Sequence, residues 1–206
     1  MSDEKQVVRD YIIKNSENFR IASAIAETIK EIRSEMRQSI LLELTSRFHK
    51  EFESKGFIVK ETLTGKQYSD IRIYKPEWEE STNLNLSFKV SAERGDFTSL
   101  IYGIIKKNRN TPFSGNLKDL SRGSESDLEM FFDMKEASGL SQSSLDWVAW
   151  QFYDPKYKDL NDDILSESLS EEGFKKTVDA LFQPVKHLQE STEKIFEQAI
   201  ISLQPL

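Results

Sequence analysis

Cysteine is absent from this chain of 206 residues, and only two histidines, eight glycines and five prolines occur in it. Without a thiol there is no disulfide, thiolate nucleophile, cysteine–zinc site or iron–sulfur cluster. His49 and His187 have no carboxylate or second histidine at ligand spacing, so neither a histidine-based metal site nor a catalytic triad is expected. Neither G-x-x-x-x-G-K nor G-x-G-x-x-G is present, which removes the usual phosphate cradles. No run of about eighteen apolar residues exists, so no helix is expected to span a bilayer. The opening "MSDEKQVVRDYIIKN" mixes both charges and lacks the apolar centre of a secretory leader, which points to a cytoplasmic protein. No residue pattern calls for a metal or a cofactor.

What is present is charge, at 31% of residues, beside a modest 37% of apolar ones. An aromatic content of 11% is too high for a disordered chain. The length suits a single domain over residues 1–206, with a core and a large solvated surface. The net charge of −7 is unevenly spread. Residues 1–56 hold 10 acidic and 10 basic side chains, residues 57–122 hold 8 and 11, and residues 123–206 hold 17 and 7. The acidic last third would repel a polyanion, so broad nucleic-acid binding is disfavoured.

"EKQVVRDYIIK" predicts a short amphipathic helix within 1–15, and Asn15 or Ser16 can cap the next one. No proline or glycine interrupts residues 16–55, enough for a helix of roughly 60 Å, so long that a break or a hairpin partner is expected. Its first half carries Ile21, Ile25, Ile29, Ile32 and Met36 in one stripe, which suits the surface or a dimer seam. In the second half "ILLEL", Phe48 and Phe52 carry the stripe round the helix, which implies enclosure by other elements. Gly56 stands where a left-handed cap belongs.

Residues 57–107 read as antiparallel strands: "FIVKETL" and "SDIRIY" around Gly65, then the alternating "LNLSFKV", then "SLIYGIIKK". Residues 108–145 form a loop-rich insertion, with "DLEMFFDMKEAS" as a short helix inside it. An aromatic strand over 146–153 follows, then a turn with Pro155 at its second position. A long helix over 170–202 completes the chain, where Pro184 should introduce a kink. The fold class expected is α+β, a sheet of about five antiparallel strands with both long helices on one face.

Two places hold candidate function. Strict alternation over 146–153 puts Trp147, Gln151 and Tyr153 on one face and the wholly apolar Val148, Trp150 and Phe152 on the other, core-facing side. The first set, with Tyr157, is either core or an aromatic-rimmed binding surface for a protein partner. The second place is Asp70 and, on a later strand, "SFK" ending at Lys89. An acid followed by acid-x-Lys on a neighbouring strand would hold a divalent metal and polarise water, but Ser87 occupies the second acid position. Asp70 and Lys89 therefore give only an alternative reading, a metal-dependent nuclease with a displaced acid at Glu77 or Glu93. The basic residues Lys89, Arg94, Lys106, Lys107 and Arg109 read as a solvated sheet edge or as a phosphate-binding patch.

"HKEFESKGFIVK", "LNLSFKV", "IYGII", "WVAWQFYDPKYKDLNDD" and "EEGFKKTVDALFQPVKHL" together resemble a region of uncharacterised bacterial and phage proteins. In those larger proteins this region follows a nuclease domain of the PD-(D/E)XK superfamily. The resemblance covers about residues 5–190 and implies that this chain lacks the nuclease core, in keeping with Ser87. It implies a phage or bacterial-defence context and supplies no site. The function expected is a non-catalytic recognition or protein-interaction module. The alternatives are the nuclease above and an acidic decoy that occupies the basic groove of a nucleic-acid-binding protein.

Overall fold

The computed structural model of the chain describes residues 3–62, 70–76, 86–92, 99–106, 133–144 and 147–202. Helix α1 (Asp3–Ile13) is followed at once by α2 (Ser16–Phe52). Asn15 takes extended backbone angles, and its side-chain oxygen accepts the Asn18 N–H at 2.8 Å, so it is the cap. The expected break in α2 does not occur. The hydroxyls of Ser23, Thr28, Ser39 and Thr45 bond back to carbonyls four residues earlier, so these polar groups are satisfied within the helix. After 37 residues, about 55 Å, the helix tightens into a 3-10 turn (Glu53–Lys55). Gly56 then ends it at φ 82°, its N–H bonded to the Glu53 carbonyl.

Five strands follow: β1 (Ile58–Thr62), β2 (Asp70–Tyr74), β3 (Leu86–Ala92), β4 (Leu100–Lys106) and β5 (Trp147–Phe152). They pair in the order β1-β2-β3-β4-β5, every neighbour antiparallel. The turn at Gly65 and most of the insertion lie outside the described residues. Within the insertion, residues 133–138 are helical, and Gln142 exchanges two backbone hydrogen bonds with Trp150 on the outer edge of β5. Helices α3 (Asp162–Glu167) and α4 (Glu171–Ser202) end the described chain.

One face of the sheet carries Val59, Ile71, Ile73, Phe88, Val90, Leu100, Tyr102 and Ile104 into the core. The second half of α2 and the apolar stripe of α4 meet it there. Phe48 of α2 stacks on Phe182 of α4 with centroids 5.5 Å apart, and Phe52 joins them. Both long helices therefore share one face. Pro184 does not interrupt α4, because buried Leu181 before it and Val185 and Leu188 after it anchor both halves to the same core.

Polar groups line the seam between the helices. Arg47 on α2 bonds Glu43 at 3.0 Å and also pairs with Asp179 on α4. Glu51 accepts Lys55 at 2.9 Å and Lys186 of α4 at 3.0 Å. Hydrogen bonds from Lys55 and then Lys186 hold the Glu51 carboxyl below its ordinary value. A carboxyl lowered in the folded state contributes stability above its unfolded value and loses it as the pH falls through the folded one. Glu51→Gln should therefore lower the Tm at neutral pH, with the gap to the parent closing in acid well below pH 4.5; a gap of constant size would mean that the charge is not involved. Phe48→Ala, which empties the aromatic stack, should cost about 3–5 kcal/mol in denaturant unfolding.

Candidate functional site

The aromatic strand is bulged. Ile101, Tyr102, Gly103 and Ile104 pair with Phe152, Gln151, Trp150 and Ala149, but Ile105 pairs with Trp147, which leaves Val148 as the extra residue. The bulge resets the two-residue alternation. Val148 and Ala149 both join the main core, while Trp147, Trp150 and Phe152 gather with Ile101 and Ile105 in a separate cluster on the opposite face of the sheet. Strict alternation thus misassigns Trp150 and Phe152, which do not enter the helix-covered core. It also wrongly groups Trp147 with Gln151 and Tyr153. Gly103 is required opposite Trp150: a Cβ there would lie 2.2 Å from the Ala149 carbonyl oxygen and 2.7 Å from the Trp150 Cα.

Trp147 is consequently separated from the other three candidate binding residues, which lie on the helix-covered side of the sheet. Trp147 is 8% exposed and lies on the far face, with the Lys89 ammonium 5.9 Å from its ring centroid. Gln151 is half-buried and donates to the Tyr102 hydroxyl. Tyr153 is 2% exposed, its ring 4.7 Å from that of Tyr102. Burial pushes the Tyr153 phenol well above its ordinary value, so it stays neutral. Its hydroxyl and the Trp150 Nε1 are buried without a hydrogen-bond partner among the described residues. Tyr157 is half-buried against the main core.

The polar residues after the strand secure the chain. The Tyr157 N–H reaches the Asp154 carbonyl at 2.8 Å, so Pro155 does sit second in a turn. Asp159 accepts the Ser99 N–H at 2.6 Å and holds that residue at φ 62°. Asn161 caps α3 by accepting from Asp163 and Ile164. Arg33 and Arg37 of α2 bond Asp162 and the Leu160 carbonyl.

Asp70 and Lys89 do meet, across β2 and β3. The Lys89 ammonium lies 3.0 Å from an Asp70 oxygen, with the Arg72 guanidinium 3.9 Å from the other. Their side chains are 15% and 12% exposed. A metal ion binding there would have to displace the ammonium, and among the described residues no group of three histidines or acids could hold one. Ser87 is buried on the same strand face, and Glu77 and Glu93 lie outside the described residues, as do Arg94, Lys107 and Arg109. His49 does have a carboxylate neighbour, which the sequence reading overlooked: Glu53, one helical turn on, lies 2.7 Å from its Nδ1. The pair is solvent-accessible on both sides.

Among the described residues, a run of exposed apolar side chains lies on the arm formed by α1 and the first half of α2. None of residues 3–36 is buried. Val7, Val8, Tyr11, Ile13, Phe19, Ile21, Ile25, Ile29 and Ile32 are each 41–68% exposed. Asn18 joins the two helices by donating to the Tyr11 carbonyl at 2.7 Å. Among the described residues no helix is long and apolar enough to cross a membrane. No family model, curated protein or solved structure matches the chain.

Tyr153→Phe removes a buried hydroxyl that has no partner among the described residues, so the variant should be as stable as the parent or slightly more so by thermal unfolding. A loss above about 1 kcal/mol would show that the hydroxyl is hydrogen-bonded after all.

Proposed function

We propose that this chain is a non-catalytic protein-interaction module and that the helical arm of residues 3–36 is its binding element. One observation carries the reading: nine large apolar side chains stand exposed on α1 and the first half of α2, a stretch in which no residue is buried. An isolated helix shorter than about 12–15 residues is marginal in water, and α1 has 11. Large contiguous apolar surface on a folded protein marks an interaction site. The arm is also chemically inert, holding no histidine and no pairing of a nucleophile with a base. Its two charges are interspersed, which suits contact with a protein surface better than with a polyanion.

The aromatic strand has a supporting part in this reading. Trp147 and Tyr153 are more than nine-tenths covered, so Gln151 and Tyr157, each half-buried, are what that region offers a partner. The resemblance to regions appended to nuclease-superfamily proteins, and the phage or defence context it would imply, enter only as a setting.

A photo-cross-linking residue placed at Ile25 in the full chain, expressed in its own host, should give protein adducts. The same residue at Glu172, on exposed surface at the start of α4, should give few. Absence of any protein adduct at Ile25 would refute the reading.

A further inference from the structure

We infer that the partner of the arm is a second copy of this chain, the two arms packing antiparallel along the stripe Ile21, Ile25, Ile29 and Ile32. The inference rests on the reading of the arm as a binding element and names its occupant. Three observations lead to it.

The first is exposure. The four stripe isoleucines are 41–54% exposed and share one face of α2, while Val7, Val8, Tyr11, Ile13 and Phe19 add exposed apolar surface elsewhere on the arm. Two arms laid together along the stripe cover the isoleucines of both copies at once, and such a contiguous apolar stripe marks an interaction site.

The second is charge. Residues 3–36 carry seven acidic side chains (Asp3, Glu4, Asp10, Glu17, Glu27, Glu31, Glu35) and six basic ones (Lys5, Arg9, Lys14, Arg20, Lys30, Arg33), so the arm is close to neutral at −1. Most of the net charge falls on the remainder, where 35 − 7 = 28 acidic face 28 − 6 = 22 basic residues, a net −6. A nearly neutral arm approaches its own copy with little net repulsion. A strongly charged partner would be better matched by an arm of one sign.

The third is direction. A parallel pair would hold two bodies of charge −6 side by side. An antiparallel pair places them at opposite ends of the paired stretch 16–36, which is about 30 Å long and well beyond the Debye length of roughly 8 Å at physiological salt. In an antiparallel register centred on residue 27, Ile25 of one copy lies against Ile29 of the other. Small Ala22 then faces large Ile32, which lets the helices approach closely. Thr28, which is exposed, sits near the two-fold axis.

Light scattering on the full chain should give twice the 23.9 kDa chain mass, and Ile25→Asp with Ile29→Asp should give the monomer. The Tm of the body should stay unchanged in that variant, because neither isoleucine is buried in it. The absence of cysteine makes the direction directly readable. A short bismaleimide should join Thr28→Cys chains to each other but not Ile21→Cys chains, whose thiols lie on the same face and are separated by about 18 Å in an antiparallel register. Efficient joining at both positions would overturn the antiparallel arrangement. A wild-type monomer at the highest soluble concentration would overturn the second copy as partner. If the Ile25 photo-adduct then proved to be another protein, the interaction-module reading would survive without this inference; no adduct at all would remove both.

Discussion

The stack of Phe48 on Phe182 is the contact on which the rest of the molecule depends. It joins the second half of α2 to α4, and the paired helices then cover one face of the sheet through Phe52, Leu44, Leu181, Val185 and Leu188. Without that double layer, the strands would expose Ile73, Phe88 and Ile104 to water, and a lone antiparallel sheet has no independent core. The seam ion pairs, Arg47 with Asp179 and Glu51 with Lys186, sit on the rim of this contact. They add alignment more than stability, since partly exposed pairs contribute little.

The same helix makes the other half of the molecule possible. A 37-residue helix with one end clamped in a core carries its other end away from the body as a stiff rod. Arg33 and Arg37 fasten the rod where it leaves, to Asp162 and the Leu160 carbonyl, and none of residues 3–36 is buried. Covered by the body, these isoleucines would be a core stripe. Exposed at helical spacing, they form the surface proposed to bind a second copy. The clamp and the exposed stripe are thus two halves of one element, and the residue pattern changes between them where Met36 gives way to Ile40 and Leu41.

Much of this was legible from residue order. The change of stripe along α2 separates an enclosed half from an open one, and Asn15 and Gly56 mark its ends through side-chain capping and the left-handed angle. Strand existence was legible too, since β-branched and aromatic runs set off by turn residues admit few other structures. The faces of β5 were not legible. Val148 is an extra residue only relative to its neighbour β4, so the bulge is a property of the pair and cannot be read from "WVAWQF" alone. The ion pair of Asp70 with Lys89 was likewise visible as an approach of two strands but not as a saturated contact, because Arg72 and the burial that closes the site come from the register.

By itself, then, the amino-acid order determined which chemistries are closed to this protein, where its helices and strands run, and which half of α2 is apolar on which side, because these follow from residue type and from local periods of 3.6 and 2. Tertiary structure alone decided that Trp147, Trp150 and Phe152 share the far face and that Tyr153 is sealed inside. It alone decided that Asp159 is spent on the Ser99 N–H and that the arm of residues 3–36 has no cover. Each of those depends on which distant segment arrives to pair, bulge or pack, and a segment carries no record of its neighbours in space.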